Sequence, residues 1–204
     1  MSQAPHDPTA SLSAESVLLA ELVEHARTGD EMAFNALYQT YHIPLCTYLA
    51  RMVGNDEEGC DLAQETFLKA WQALPQARGE LRFNAWLYRI ATNTAIDYLR
   101  RRKLHRFFWK DQGEEDVASI AGPEEQIAET EHIKLTLARL SPKYRACLLL
   151  QIEAGLSQRE IAELLNITEK SVSVYVRRAC DQFRLVYQNL LNEPDIMQKG
   201  SLSQ

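Results

Sequence analysis

One 22-residue stretch, Arg82 to Lys103, carries side chains suited to binding nucleic acid. It reads RFNAWLYRIATNTAIDYLRRRK and contains no glycine or proline, so it predicts one helix of about six turns. Trp86, Arg89 and Asn93 recur at three- and four-residue steps and therefore share one face of this helix. An aromatic ring stacks on unpaired bases, an amide hydrogen-bonds base edges, and arginine holds phosphate.

Four consecutive basic residues end the same stretch. They are Arg100, Arg101, Arg102 and Lys103. One interpretation is that this run holds phosphates while the Trp86 face captures bases. The alternative is that Trp86 is a core residue and the basic run is a solvated helix end that complements the helix dipole. The helix taken alone leaves both open.

The charge distribution favours the first interpretation. The chain has a net charge of -6, but residues 78–110 hold nine Lys or Arg against two acids, a local charge of +7. Residues 134–192 hold nine against five, a local +4, whereas residues 111–131 hold eight acids and no base. Two basic blocks separated by an acidic strip indicate two nucleic-acid-facing modules joined by a linker.

Helix formers dominate the sequence and no strand-like alternation persists, which predicts an all-α fold with two helical domains. Helices are expected from about Ala14 to Arg27, Asp30 to Tyr41, Pro44 to Val53 and Asp56 to Leu74, before the 82–103 helix. The predicted organisation is a disordered tail at 1–13, a first domain of four to five helices at 14–110 and an acidic flexible linker at 111–128. A second helical domain follows at 129–192, with a tail at 193–204.

No apolar run approaches the roughly 20 residues that span a bilayer, and the start lacks a signal-peptide pattern, so we expect a cytoplasmic protein without membrane insertion. The four cysteines have no C-x-x-C spacing and are expected to be buried small hydrophobes. His42 and Cys46 are four residues apart, but no second pair follows. We therefore expect no metal and no cofactor.

The predicted helix from Asp56 to Leu74 has a polar face whose acids and amide could dock a basic partner helix. Its members are Asp61, Gln64, Glu65 and Lys69. The alternative is a merely solvated face.

The second domain contains a helix, a tight turn and another helix. Ser157 and Glu160 form a capping box before the first of these helices, Asn166 lies at the turn, and Thr168 caps the second. This is a helix-turn-helix pattern, in which the second helix enters the major groove of DNA. The outward residues of that helix are Lys170, Ser171, Ser173, Val174 and Arg177, with Arg159 and Arg178 suited to phosphates. A helical hairpin that never meets DNA is the alternative.

These modules, in this order, resemble the extracytoplasmic-function (ECF) branch of the sigma-seventy family of RNA polymerase sigma factors. The segments that carry the resemblance are DLAQETFLKAWQAL, FNAWLYRIATNTAIDYLRRRK and LSPKYRACLLLQIEAGLSQREIAELLNITEKSVSVYVRRA. The resemblance covers about residues 16–190.

The resemblance implies a role for each segment. The first binds the clamp helices of the polymerase largest subunit, through Asp61, Gln64, Glu65 and Lys69. The second faces the promoter minus-ten element as it opens, and the third reads the minus-thirty-five element. Further implied partners are the flap of the second-largest polymerase subunit, promoter DNA and an anti-sigma factor. The acidic linker would follow the RNA-exit path.

Other functional classes explain less of the sequence. A two-domain DNA-binding regulator would account for the helix-turn-helix but not for the Asp61 segment or the Trp86 face. An adaptor without nucleic-acid binding would not need the basic run. The sequence has no glycine-rich phosphate loop, nucleophile elbow or cluster of metal ligands, which argues against an enzyme.

Overall fold

The computed structural model describes the backbone of residues 8–77, 81–108 and 124–192, and the side chains of 17–77, 81–105 and 130–191. All regular structure in these ranges is helical, which confirms the all-α prediction. The predictions for residues 1–7, 109–123 and 193–204 concern residues outside these ranges.

The described residues of the first half, up to Phe108, form four α-helices and a short 3₁₀ turn. They are α1 (Pro8–Arg27), α2 (Glu31–Val53), α3 (Asp56–Ala73), the 3₁₀ turn (Leu74–Gln76) and α4 (Phe83–Phe108). Their apolar faces share one core, with Leu37, Leu49, Leu74 and Leu87 fully buried. Helix α1 begins at Pro8, inside the segment predicted to be a disordered tail, and proline is well suited to a first helical turn.

Helix α2 is continuous where the sequence predicted two helices. Pro44 lies inside it and removes the backbone hydrogen bond that its nitrogen would give to Thr40. Pro44 and Thr40 are both exposed, so water can satisfy the freed carbonyl group. Leu37 and Leu45, on either side of the break, are both fully buried, and this packing holds the helix together across the proline.

Helices α2 and α3 form a tight hairpin. Gly54 ends α2 in the left-handed conformation (φ 81°), and the Asn55 side chain caps α3 by accepting a hydrogen bond from the backbone of Glu58. Where the helices cross, a Cβ atom on Gly59 would lie 2.4 Å from the backbone nitrogen of Ala50. Only glycine permits this approach, which fixes the orientation of α3 on α2.

Between residues 124 and 192, the structure has four more helices: α5 (Glu124–Arg139), α6 (Pro142–Ile152), α7 (Gln158–Leu165) and α8 (Glu169–Asn192). Helix α5 begins at Glu124, so the last residues of the predicted 111–128 linker are helical. Both hydrogen bonds of the capping box at the start of α7 are present: the Ser157 side chain accepts from the Glu160 backbone nitrogen, and the Glu160 side chain accepts from the Ser157 backbone nitrogen. Asn166 ends α7 with φ 53°. This left-handed residue turns the chain sharply into α8, as the sequence predicted.

The two halves pack directly against each other. Lys134 of α5 pairs with Asp56 of α3, and Arg51 of α2 pairs with Glu153 after α6. Burial raises the pKa of Glu153, and the Arg51 guanidinium opposes that rise. The buried apolar side chains of both halves form one contiguous cluster.

Arg145 of α6 is the most buried charged residue of this contact, with 4% of its surface exposed. Its guanidinium donates to the carbonyl oxygens of Ala138 (2.6 Å) and Leu140 (3.1 Å) in its own half and of Met52 in the other. The Met52 carbonyl belongs to the last turn of α2, whose acceptors lack helical partners. Burial lowers the pKa of Arg145 to about 10, so the side chain is still charged at neutral pH.

Replacing Arg145 should therefore destabilise the protein. Arg145→Ala leaves two buried carbonyl groups and one partly buried carbonyl group without their donor, and we expect the free energy of unfolding to fall by about 2–4 kcal/mol. Urea denaturation followed by circular dichroism measures this change. Arg145→Lys keeps the charge but not the planar set of N–H donors, so its free energy of unfolding should fall by less than that of Arg145→Ala. A loss below about 0.5 kcal/mol for Arg145→Ala would contradict the assigned role.

Candidate functional site

The predicted base-binding face lies on α4, and its three residues differ in exposure. Arg89 and Asn93 are exposed, whereas Trp86 is half-buried. The Trp86 ring packs against Phe83, with ring centroids 5.8 Å apart, and Phe83 packs against Tyr41 at 5.4 Å. The indole is therefore anchored on one side by the core and open on the other. A fixed ring beside an exposed amide and guanidinium can stack on and hydrogen-bond an unpaired base.

The basic run continues α4 beyond this face. Arg100, Arg101 and Lys103 are exposed, and Arg102 is half-buried. Arg100 forms an ion pair with Asp97, one turn earlier, at 3.1 Å. This pair is exposed and therefore weak, so it can exchange for a phosphate.

The polar face of α3 is exposed at Asp61 and Gln64. Glu65 instead pairs with Lys69 at 2.7 Å, and the Lys69 ammonium also donates to the Thr94 hydroxyl of α4 at 3.0 Å. Thr94 is only 2% exposed. Lys69 thus links α3 to α4, a role that its position on a polar face did not indicate.

Leu68 belongs to the same surface and was missed by the sequence analysis. Its side chain is 58% exposed and lies one turn beyond Gln64. The sequence contained one sign of this exposure, because Leu68 is an apolar residue on the polar face of the predicted helix. Leu68 therefore adds an exposed apolar group to the hydrogen-bonding groups of this helix face.

In the helix-turn-helix, Lys170 and Arg177 extend into solvent from the first half of α8. Several other predicted DNA contacts already have partners. The Ser171 hydroxyl lies 2.8 Å from that of Thr168, and Ser173 donates to the Gln158 side chain at 2.6 Å. Val174 is half-buried.

The two arginines assigned to phosphates are both exposed and both paired. Arg159 lies 3.1 Å from Glu163, and Arg178 donates to the Tyr144 hydroxyl at 3.1 Å. These are surface interactions that DNA phosphates can replace.

The start of α4 contacts the helix-turn-helix. Arg82 pairs with Glu160 at 3.2 Å, and the Asn84 amide donates to the Ala154 carbonyl oxygen at 3.0 Å. The hydrogen bonds of Ser157 lower the pKa of Glu160, and Arg82 adds to this effect. Further along α4, a cavity of about 220 Å³ lies between Asn93 and the turn at Asn166. The second half therefore lies close beside the face that carries Asn93.

Among the described residues, the cysteines belong to no cluster that could hold a metal ion. Cys46 lies 3.6 Å from the His42 ring, but no group of three His, Cys, Asp or Glu in the described part of the chain could hold a metal ion. Burial, and then the neighbouring Cys60 thiol, raise the pKa of Cys46 to about 12, which keeps this thiol protonated. Cys60 is exposed and Cys180 is half-buried, contrary to the expectation that all four cysteines are buried.

None of the described helices combines the length and the apolar content needed to cross a bilayer.

Two protein-family models match this chain, one in each of its two halves. Residues 37–105 match the sigma-70 region 2 model, and residues 130–183 match the sigma-70 region 4 model. The first match contains α3 and the Trp86 face, and the second contains the helix-turn-helix.

Curated relatives match over nearly their full length. The RNA polymerase sigma-H factor of Pseudomonas aeruginosa is 32% identical over 187 residues, covering 85% of this chain and 95% of that protein. The ECF RNA polymerase sigma-E factor of Haemophilus influenzae is 31% identical over 189 residues, covering 87% and 100%.

Solved structures share the fold. CnrH, solved in complex with the cytosolic domain of CnrY, is 26% identical with a TM-score of 0.62, covering 86% of this chain and 98% of that one. The sigma factor RpoE of Bartonella quintana, in complex with the anti-sigma factor NepR, has a TM-score of 0.66 at 20% identity, covering 76% and 96%. With both regional models matched in order and relatives above 30% identity along their whole length, the chain belongs to the ECF branch of the sigma-70 family of RNA polymerase sigma factors.

Proposed function

We propose that this sigma factor binds core RNA polymerase through α3, reads the minus-thirty-five element with α8, and captures bases of the opening minus-ten element on α4. The observation that carries the proposal is the α4 face, where a core-anchored indole lies beside an exposed guanidinium and amide. Opening DNA costs a few kcal/mol per unstacked base. Stacking on a fixed aromatic ring returns about 1–3 kcal/mol per base, which is enough to hold an opened strand.

For polymerase binding, we propose that Asp61, Gln64 and Leu68 form the centre of the contact. Their exposure on one helix face gives a partner both hydrogen-bonding groups and an apolar anchor. Glu65 and Lys69, which pair with each other, then act mainly by fixing α3 against α4. The flap of the second-largest subunit remains a proposed contact of the second half.

For the minus-thirty-five element, we propose that Lys170 and Arg177 reach the DNA first because both are exposed. Arg159 and Arg178 exchange their surface partners for phosphates. Ser171, Ser173 and Val174 complete the groove-facing surface, with the two hydroxyl groups holding the helix-turn-helix in shape. For the minus-ten element, the proposed phosphate contacts are Arg100, Arg101, Arg102 and Lys103.

The proposal also covers the mode of action, the location and the partners of the protein. The protein acts by binding, without catalysis or cofactor, and works where RNA polymerase works, in the cytoplasm. Both solved relatives contain a protein partner, named for one as an anti-sigma factor, and we include such a partner here. The domain limits at 14–110 and 129–192, and a linker along the RNA-exit path, are also proposed.

The packed arrangement of the two halves is proposed to be the form of the protein away from the promoter. The two promoter elements lie about 25 base pairs apart, which is about 85 Å of B-DNA. A compact chain of 204 residues has a radius of gyration of about 17 Å, so it cannot reach both elements at once. The contacts of Arg82, Asn84, Arg51 and Arg145 across the two halves must therefore separate when the promoter is bound.

Transcription with purified components tests the proposal. Transcript starts mapped after overproduction of the chain supply the promoter, and run-off transcription then compares core polymerase with and without the chain. We expect transcripts only when both are present. Gln64→Ala should raise the chain concentration needed for half-maximal transcription about tenfold, because central interface residues contribute more than 1 kcal/mol.

Thr47→Ala is a matched control, since Thr47 is an exposed polar residue on α2, outside the α3 face. It should leave the half-maximal concentration unchanged. The opposite result would be no transcript with core polymerase and more transcript from polymerase that already carries another sigma factor. It would show that the protein is a separate DNA-binding regulator.

A further inference from the structure

An open pocket of about 410 Å³ lies between the start of α2 and the end of α3, away from the α4 face. It is lined by three aromatic side chains, one carboxylate and one amide. These are Phe34, Tyr38, Trp71, Glu31 and Asn35. All three rings are half-buried, whereas Glu31 and Asn35 are exposed at the rim.

The rings are held in place by one another. Trp71 packs against Phe34 with centroids 4.8 Å apart and planes tilted by 60°, and Tyr38 packs against Phe67 at 4.7 Å. Phe67 is buried in the core, so the aromatic wall is anchored from behind. The walls of the pocket are therefore formed before any ligand arrives, which reduces the entropic cost of binding.

The charge at the rim selects the kind of ligand. Glu31 lines the pocket, and the neighbouring Asp30 caps α2 by accepting from the backbone nitrogens of Met32 and Ala33. None of the described residues that line the pocket is Lys or Arg. Aromatic faces beside a carboxylate attract cations, whereas the phosphates of a nucleic-acid strand would be repelled here.

The pocket continues the surface proposed to bind polymerase. Gln64, Leu68 and Trp71 follow one another at four- and three-residue steps and so lie along one stripe of α3. Seven helical residues span about 10 Å, so a polypeptide bound along this stripe reaches the pocket with its next side chains. Leu68, in the middle, is exposed.

We propose that this pocket binds an arginine side chain of the core polymerase segment that lies along α3. The guanidinium would stack on the aromatic wall while its N–H groups meet the Glu31 carboxylate. Arginine fits better than lysine because its planar group stacks on rings and pairs in a bidentate manner with carboxylates. This inference rests on the proposed function, since it assumes that α3 is the polymerase-binding helix.

The first test measures the affinity of full-length chain for core polymerase. Glu31→Lys places a cation where one is expected to bind and should weaken the complex tenfold or more, and Trp71→Leu should weaken it at least fivefold. Glu21→Lys makes the same charge change at an exposed position of α1 and should change affinity less than threefold. Trp71 also packs in the domain, so Trp71→Leu could unfold the protein. In that case the surface variant Glu31→Lys alone tests the proposed arginine site.

The variant Gln64→Ala distinguishes failure of the arginine site from failure of the proposed polymerase binding through α3. If Gln64→Ala weakens core binding while Glu31→Lys and Trp71→Leu do not, the pocket is not an arginine site and the polymerase interface stands. If none of the three variants weakens core binding, the proposed function fails as well.

A second test uses a small probe and no polymerase. N-acetyl-arginine amide is titrated into the full chain while the indole N–H resonance of Trp71, assigned with Trp71→Phe, is followed by NMR. We expect a saturable shift that is at least threefold weaker in Glu31→Gln and absent with the neutral isostere N-acetyl-citrulline amide. An equal response to citrulline, or a response to thymidine or cytidine in place of arginine, would overturn the assignment.

Discussion

A disulfide between positions 54 and 138 should hold the two halves of this sigma factor together and stop promoter-dependent transcription. A Cβ atom built on Gly54 lies 3.5 Å from the Cβ of Ala138, within the range found in disulfides. Oxidised Gly54→Cys/Ala138→Cys should give at least tenfold less run-off transcript, because a closed chain cannot reach two elements about 85 Å apart. Reduction with dithiothreitol should restore the activity.

The variant is best made with the exposed Cys60 replaced by serine, so that the engineered pair is the favoured site of oxidation. Gly54 has φ 81°, and a cysteine there costs about 1–2 kcal/mol, which the single variant Gly54→Cys measures. Asp61 and Gln64 are exposed in the closed arrangement, so the oxidised chain should still bind core polymerase. Full activity of a chain shown to be cross-linked would refute the need for opening.

Removing the Trp86 ring should block DNA opening while leaving polymerase binding intact. The indole is expected to stack on an unpaired base, and losing about 1–3 kcal/mol of stacking lowers the fraction of opened promoter roughly 5- to 150-fold. Trp86→Ala should therefore lose run-off activity on duplex template. On a template whose minus-ten region is already unpaired, it should keep most of its activity because the cost of opening is absent.

Two comparisons separate this effect from damage to the fold. Trp86→Phe keeps a ring against Phe83 and should retain more activity than Trp86→Ala. Thermal unfolding of each variant shows whether the contact with the core has been lost as well. Equal losses on duplex and pre-opened templates, with an unchanged melting temperature, would mean that Trp86 does not take part in opening.

The sequence predicted those parts of the fold that depend on neighbouring residues. The capping box of Ser157 and Glu160, the left-handed turn at Asn166 and the amphipathic helix α3 each follow from spacing within one or two turns. The break predicted near Pro44 was wrong, because burial of Leu37 and Leu45 outweighs the local cost of proline. Local propensity decides helix ends more reliably than helix interruptions.

Parts of the candidate site depend on distant contacts and could not be predicted in this way. Arg145 has the sequence context of a surface helix residue, and its contact with the Met52 carbonyl group, 93 residues earlier, could not be read from neighbouring residues. Lys69 is similar, since its link to Thr94 crosses between two helices. Glu31, Phe34 and Trp71 come together only because α2 and α3 fold back on each other at Gly59 and Ala50.

The bond from Lys69 to Thr94 has a consequence for building chimeric sigma factors. It fastens the helix proposed to dock on polymerase to the helix proposed to open DNA, one residue from Asn93. Grafting an α4 that has no hydroxyl group at position 94 would remove the partner of the Lys69 ammonium unless α3 were transplanted with it. Promoter choice and enzyme recruitment should therefore be exchanged as a single cassette from α3 to α4.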